Sequence, residues 1–395
     1  MYFSFSKIQL RNFTLARKTF CMKNIVVLGA GMVGSAIARD LSTTFKVTSV
    51  DLNKTSLDFL KKNFGINTVE ANLKDKKKIQ QIISKADLVI GAVPGFMGCE
   101  TCKTVIEAGK NMVDISFFPE DAFELDALAK KKKVTIVVDC GVAPGMDNIL
   151  LGYHYKRMEV EEFTCMVGGL PFTRTLPFQY KAPFSPIDVI EEYTRPARLV
   201  ENNKIVTKPA LSEPEFVEFE NIGTLEAFNT HGLRSLVKTM RIKNMKEKTL
   251  RYPGHRQIME TLRDAGMFSD KKFELNGATT SALEITSKIL LPQWKLQAEE
   301  KEFTVMRVII SGKEKGKKKT YTYDLFDQYD AATKLSSMAR TTGFTCAAVA
   351  CLVADGKFKR NGIIAPEFIG DDEKAFSFVI NYLKHRKVYY SKTER

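Results

Sequence analysis

The chain has 395 residues, 44% hydrophobic and 27% charged. These are the proportions of an ordinary soluble globular protein with room for two domains, and no apolar run approaches the ~20 residues that cross a bilayer. The net charge of +14 raises the question of nucleic acid, but the basic clusters at 76–78, 130–133 and 312–319 carry no interleaved aromatics and match no nucleic-acid motif, so solvated surface is the expectation and no nucleic-acid or membrane partner is assigned.

Seven cysteines, an odd number, argue for reduced thiols inside a cell. Cys99 and Cys102 form a C-x-x-C, but no second pair at metal spacing follows, so packed thiols and no metal site are expected. Residues 1–21 contain no acid and four basic residues. A transit peptide has this composition, and so does a short extension ahead of Met22; the extension is preferred, which implies a cytoplasmic protein, or a mitochondrial one if the segment is a transit peptide.

The β-branched run KNIVVL at 23–28 leads into Gly29-Ala30-Gly31-Met32-Val33-Gly34 and then into SAIARDL, which has helical spacing. A G-x-G-x-x-G between a strand and a helix is a dinucleotide fingerprint: Gly29 permits the tight turn, Gly31 lets the backbone approach a pyrophosphate, and Gly34 lets the helix pack on the sheet. The pyrophosphate then sits on the helix N-terminus, where free N–H groups favour negative charge. Asp51 ends the next strand, KVTSVD, 22 residues after Gly29. A carboxylate there accepts from the ribose hydroxyls of NAD and repels the 2′-phosphate of NADP, so NAD is favoured, with NADP kept as the alternative because Lys54 is close.

Strand-like and helix-like segments then alternate: a helix in TSLDFLKKNF, a strand INTVEA, a helix over 76–84, a strand DLVIGAV, a helix over 99–108, a strand NMVDIS, a helix over 122–132 and a strand VTIVVD. Six strands by Asp139 predict a parallel doubly wound sheet. Ligands in such sheets bind beyond the carboxyl ends of the strands, so Val93, Pro94, Ser116 and the loop after Asp139 are expected to face cofactor and substrate. The character changes at Gly141, and 163–323 reads as an α+β domain with a hairpin whose turn is the lysine-rich GKEKGKKK. A helical stretch at 333–355 is apolar enough to be buried.

Eight blocks occur in order: GAGMVG, VAPGMDN at 142–148, VGGLP at 167–171, YKAPFS at 180–185, EEYTRPA at 191–197, GTLEAFNTHGL at 223–233, TLRYPGH at 249–255 and SSMARTTGF at 336–344. With them the chain resembles the saccharopine dehydrogenase family, most closely its lysine 6-dehydrogenase-like branch, from Met22 to about Gly370. The resemblance implies an α/β fold with a discontinuous Rossmann dinucleotide-binding domain plus an α+β substrate and dimerisation domain. The expected divisions are an extension at 1–21, Rossmann at 22–145, the substrate domain at 146–332 and a helical return at 333–390, in a homodimer or higher homo-oligomer. Phe117, Val167 and Asn148 stand where saccharopine reductases carry tyrosine, cysteine and histidine, which turns the expectation from saccharopine toward a simple amino-acid amine such as lysine. A saccharopine reductase or another opine-type or polyamine-type dehydrogenase, and a silent NAD-binding regulator, remain the alternatives.

The activity so implied is oxidative deamination of the lysine ε-amine with NAD, which needs a base to free the nitrogen lone pair. Asp147 is the first candidate, set against a helix N-cap. Lys181 is a proton shuttle if burial lowers its pKa, or simply exposed. His255 titrates near neutrality or packs in the core. Arg251 is expected to hold the substrate carboxylate, or to form a structural ion pair. Tyr180 and Ser116 complete the expected substrate contacts, and His231 is read as a structural turn residue.

Overall fold

The computed structural model describes residues 22–183, 186–220, 222–297 and 300–395; the expectation for residues 1–21 lies outside them, as do Phe184 and Ser185 of the YKAPFS block. Six strands, β1 (Asn24–Leu28), β2 (Lys46–Asp51), β3 (Asn67–Glu70), β4 (Leu88–Gly91), β5 (Met112–Asp114) and β6 (Thr135–Val137), alternate with helices. The second domain follows with β7 (Glu159–Pro171), β8 (Ala197–Glu201), β9 (Lys204–Lys208), β10 (Glu215–Phe219), β11 (Gly223–Asn229), β12 (Asn244–Arg251), the small hairpin β13 (Lys272–Leu275) and β14 (Ala278–Ser281), and the long pair β15 (Glu302–Glu314) and β16 (Lys317–Gln328). Two late strands, β17 (Gly362–Ile364) and β18 (Tyr390–Glu394), close the chain.

The first sheet is parallel, in the order β17-β6-β5-β4-β1-β2-β3. The chain reverses direction across the sheet beside β1, which makes the carboxyl edge around β1 and β4 the place where a crevice opens. Its seventh strand, β17, and the helix Ser337–Ala354 come from the far end of the sequence, so this domain is discontinuous. Contrary to the expectation that no apolar run approaches a membrane span, that helix is long and apolar enough to cross one; it packs against the fingerprint helix Met32–Leu41 in the main core, where Gly343 approaches Ala36 and Ile37.

The second sheet runs β10-β11-β12-β7-β15-β16-β18, with β8 on β12 and β9 on β8. Among the described residues only β12 and β7 are parallel in it; the neighbouring pairs are antiparallel. Two local expectations change. The helix after Pro94 spans Gly95–Glu107 rather than starting near residue 99, because Pro94 is held extended and acts as the N-cap itself. The lysine-rich run is strand, not loop: β15 and β16 are joined by Lys315 and Gly316 alone, both at positive φ as a two-residue hairpin turn requires. Beyond the expected helical return, β18 pairs with β16 of the second sheet.

Candidate functional site

The carboxyl edge of the parallel sheet and the second domain enclose a cavity of about 630 Å³. From the first domain it is walled by Gly29, Gly31, Met32, Val33, Gly34 and Asp51, by Val93 and Pro94 after β4, and by Ser116 and Phe117 after β5. The fingerprint turn is built tightly. Asp51 accepts from the backbone N–H of Ala30 at 2.6 Å and from Asn53 N–H at 2.8 Å, which locks the end of β2 to the glycine turn. Ala30 therefore serves through its backbone and is buried, whereas Gly31 is exposed to the cavity with nothing within 4 Å of where a side chain would begin. These residues fit a dinucleotide: an open approach over Gly31, a helix N-terminus for the diphosphate, and an acid at the end of β2 for the ribose.

The second domain contributes a wall of acids. The helix Pro186–Thr194 carries Asp188, Glu191 and Glu192 at spacing i, i+3, i+4, which puts them on one face. On β12, side chains two apart share a face, and Glu247, Thr249 and Arg251 all line the cavity. Glu247 is buried, accepts from the Thr230 hydroxyl at 2.8 Å, and is wrapped by the turn at Gly232. Burial pushes its carboxyl up to about 8, with the charges of Glu192 and Asp147 adding to the shift and the Thr230 hydrogen bond opposing it. A carboxyl at that value exchanges a proton with a bound amine near neutral to alkaline pH.

The expected base, Asp147, lies behind this wall. It is buried in the first turn of the helix Met146–Tyr155, accepts from Gly145 N–H at 2.9 Å, and is pushed up to about 7 by burial, but it is absent from the cavity lining. Asn148 beside it ties the same helix to Glu367 at 2.9 Å. Lys181 does not reach the cavity either: its ammonium is on the surface, bonded to the Gln293 carbonyl at 2.8 Å. His255 and Tyr180 are buried behind Arg251. Both ring nitrogens of His255 are engaged, by Tyr193 Oη at 2.9 Å and the Phe178 carbonyl at 2.8 Å, and burial with the Arg251 charge pushes it down to about 3. The structure thus gives these two aromatic neighbours a positioning place rather than a seat at the cavity.

Arg251 does line the cavity, yet its donors are engaged. Nη2 holds Glu192 at 2.7 Å and lies 3.5 Å from Tyr180 Oη, Nε reaches Tyr193 Oη at 3.2 Å, and Nη1 reaches the Leu250 carbonyl at 2.9 Å. A substrate carboxylate would have to displace Glu192. Replacing Arg251 with Met is therefore expected to destabilise the fold by about 3 kcal/mol, because it strands the Glu192 carboxyl in a largely buried place. Denaturant titration checks this, and an unchanged midpoint with only a raised substrate KM would return Arg251 to the role of a ligand.

Ser116 lines the cavity while its hydroxyl donates to the buried Asp114 at 2.7 Å. Glu247 was not apparent as a site residue from the sequence, nor were Asp188, Glu191 and Glu192. The Glu247 signal was present in the alternation Glu247, Thr249, Arg251, but a carboxylate flanked by two lysines in a strand reads as a surface charge until the strand is placed in the sheet. His231, read as a structural turn residue, also lines the cavity. Among the described residues no group of His, Cys, Asp and Glu is arranged to hold a metal ion.

Comparison with known proteins accounts for both halves. Residues 25–137 match the model described as saccharopine dehydrogenase NADP binding domain, and residues 141–388 match that of the saccharopine dehydrogenase C-terminal domain. The mouse mitochondrial alpha-aminoadipic semialdehyde synthase is 22% identical over 87% of this chain and 45% of its own, and the Arabidopsis thaliana synthase 28% identical over 58% of this chain and 23% of its own. The chain thus spans less than half the length of these synthases. The L-glutamate-forming saccharopine dehydrogenase of Saccharomyces cerevisiae has the same fold, with a TM-score of 0.77 at 19% identity over 94% of this chain and all of its own, and the homospermidine synthase of Legionella pneumophila follows at 0.65 and 12% over 94% and 91%. With a pyridine-nucleotide-binding domain and the companion C-terminal domain matched in order across nearly all of its described length, the chain belongs to the saccharopine dehydrogenase family.

Proposed function

We propose that this chain oxidises the C–N bond of an amino-acid amine with a pyridine nucleotide, and that its substrate is the ε-amine of L-lysine with NAD as acceptor. Removal of hydride leaves an imine that water hydrolyses, so the products are ammonia, the reduced nucleotide and allysine, which loses water as it closes to a cyclic imine, a piperideine carboxylate. The observation that carries this is the acid wall: Asp188, Glu191, Glu192 and Glu247 line the second domain's side of the cavity, and Arg251, which lines it with them, is bound to Glu192. Such a wall suits a substrate that brings more ammonium than carboxylate. Asp51 at the end of β2 supports NAD over NADP, because its carboxylate repels a 2′-phosphate.

When bound, the nicotinamide supplies the hydride acceptor. The chain's own task is to make the amine a donor. The ammonium has a reference pKa of about 10.4 and cannot release hydride from the adjacent carbon while its lone pair is protonated. Glu247, in its ionised form, takes that proton, and Thr230 with Gly232 holds the carboxylate in place. The remaining acids on the helix Pro186–Thr194 orient the cation before it is discharged.

The second reading is saccharopine oxidation, favoured by relatives named for it, such as the NADP-dependent, L-glutamate-forming enzyme of Saccharomyces cerevisiae at 22% identity over 64% of this chain and 60% of its own. Nucleotide reduction at alkaline pH with lysine, saccharopine and short diamines, each with NAD and with NADP, separates the two. Turnover of lysine with NAD is expected; turnover of saccharopine alone would overturn the proposal, and dinucleotide binding without turnover of any amine would favour a silent regulator.

A further inference from the structure

Beside Glu247 the cavity wall carries two hydroxyls, and the mechanism above gives a use to only one of them. Thr249 stands two residues beyond Glu247 on β12, on the same face of the strand, and Thr230 follows the last residue of β11. All three side chains belong to the cavity wall and are otherwise buried. β11 and β12 are antiparallel, with Asn229 opposite Lys248. That register brings the Thr230 hydroxyl to 2.8 Å from Glu247 Oε2 and to 2.9 Å from the Thr249 hydroxyl.

Ionised Glu247 fixes the direction of both bonds. A carboxylate only accepts, so the Thr230 proton points to Glu247. The proton between the two hydroxyls must then come from Thr249. Thr249 has thereby committed its one donor, and among the described residues nothing donates to its oxygen. What it keeps is acceptor capacity, which suits an N–H group. Glu247 itself is more sheltered: Gly232 lies so close over it that a Cβ there would stand 2.1 Å from the carboxyl carbon, and the Gly232 backbone hydrogen-bonds the carboxylate. Its Oε2 is already taken by Thr230.

We propose that Thr249 is the group that meets the substrate nitrogen, and that Thr249 and Thr230 carry the nitrogen's proton to Glu247. One N–H bond of the ammonium breaks and its proton joins Thr249 Oγ1, the Thr249 proton passes to Thr230 Oγ1, and the Thr230 proton passes to Glu247 Oε2. An ammonium and a carboxylate become a neutral amine and a carboxylic acid, and neither threonine changes its charge. The amine then holds the lone pair that hydride release requires. This rests on the amine-oxidation reading, but the relay serves a primary or a secondary ammonium alike.

Thr249→Val keeps the branching of the side chain and removes the hydroxyl. Tested on whichever of lysine or saccharopine the wild type oxidises, this variant is expected to lose roughly 10- to 100-fold in kcat and to show a larger solvent deuterium isotope effect, with NAD affinity unchanged. Thr249→Ser is expected to recover most of the rate, which a packing fault would not allow. An unchanged kcat, a loss that serine does not recover, or a loss with an unaltered isotope effect would overturn the relay. Binding of pentylamine to the NAD-loaded protein is read by calorimetry without turnover. Affinity roughly 10-fold weaker in Thr249→Val and restored in Thr249→Ser would uphold the contact even if no amine is oxidised. Equal affinity in the wild type and Thr249→Val would sink it even if lysine is.

Discussion

Replacing Glu247 with glutamine is expected to lower kcat for the amine substrate at least 100-fold while leaving dinucleotide binding intact. The size follows from the 10²- to 10⁴-fold contribution of a positioned general base. The pH profile carries the sharper test. A base at about 8 is protonated and idle below that pH, so wild-type activity rises with pH through 8, and the variant's residual activity lacks that inflection. Stability has the opposite sign. The folded value lies above the ordinary 4.5, so the protonated group favours the fold below that range, and the contribution is lost as pH rises through 8. Glu247→Gln, with no charge to bury, is expected to match or exceed wild-type stability above pH 8. An unchanged pH–rate profile would remove Glu247 from the chemistry, and attention would pass to Asp147 at about 7, one layer deeper.

Gly31→Val is expected to weaken dinucleotide binding at least ~100-fold, about 2.7 kcal/mol, with almost no effect on folding. Gly31 has φ −69°, which valine adopts freely, and a side chain there meets nothing within 4 Å. The space it would fill is the approach a diphosphate needs over the helix N-terminus. Gly34→Val supplies the contrast, because its Cβ would stand 2.3 Å from the Gly29 carbonyl oxygen, so stability and binding fall together. Calorimetric titration with NAD and a thermal melt on both variants separate the two effects. Full affinity in Gly31→Val would place the diphosphate elsewhere.

The strand-to-helix alternation of the first domain was legible because each element is short, local and punctuated. β1, β2, β4 and β5 fall within the apolar runs that announce them, and the glycine turn sits between a β-branched strand and a helix in the sequence as in space. Asp51 was legible for the same reason, since its distance from Gly29 is set by one helix and two turns. The substrate side was less so. Lys181, His255 and Tyr180 stood in blocks with chemical promise, yet whether a side chain meets a cavity or the core depends on which face of its element the sheet covers. His255 and Tyr180 pack with Tyr193 and Trp294, a cluster that draws on residues more than 100 positions apart. Asp147 lay close to the right region but on the inward side of its helix.

Sequence by itself determined the dinucleotide cradle, the family and the existence of a second domain, because each of these is written in contiguous residues whose spacing has a physical meaning. Tertiary structure decided which acids line the cavity. β12 lies parallel to β7 and brings Glu247 level with Cys165, and the helix Pro186–Thr194 turns Asp188, Glu191 and Glu192 to the same cavity. It also decided that Arg251 is paired with Glu192. The physical reason is that a charge's role depends on its partners and its distance from water, and both are set by long-range packing rather than by neighbours in the chain.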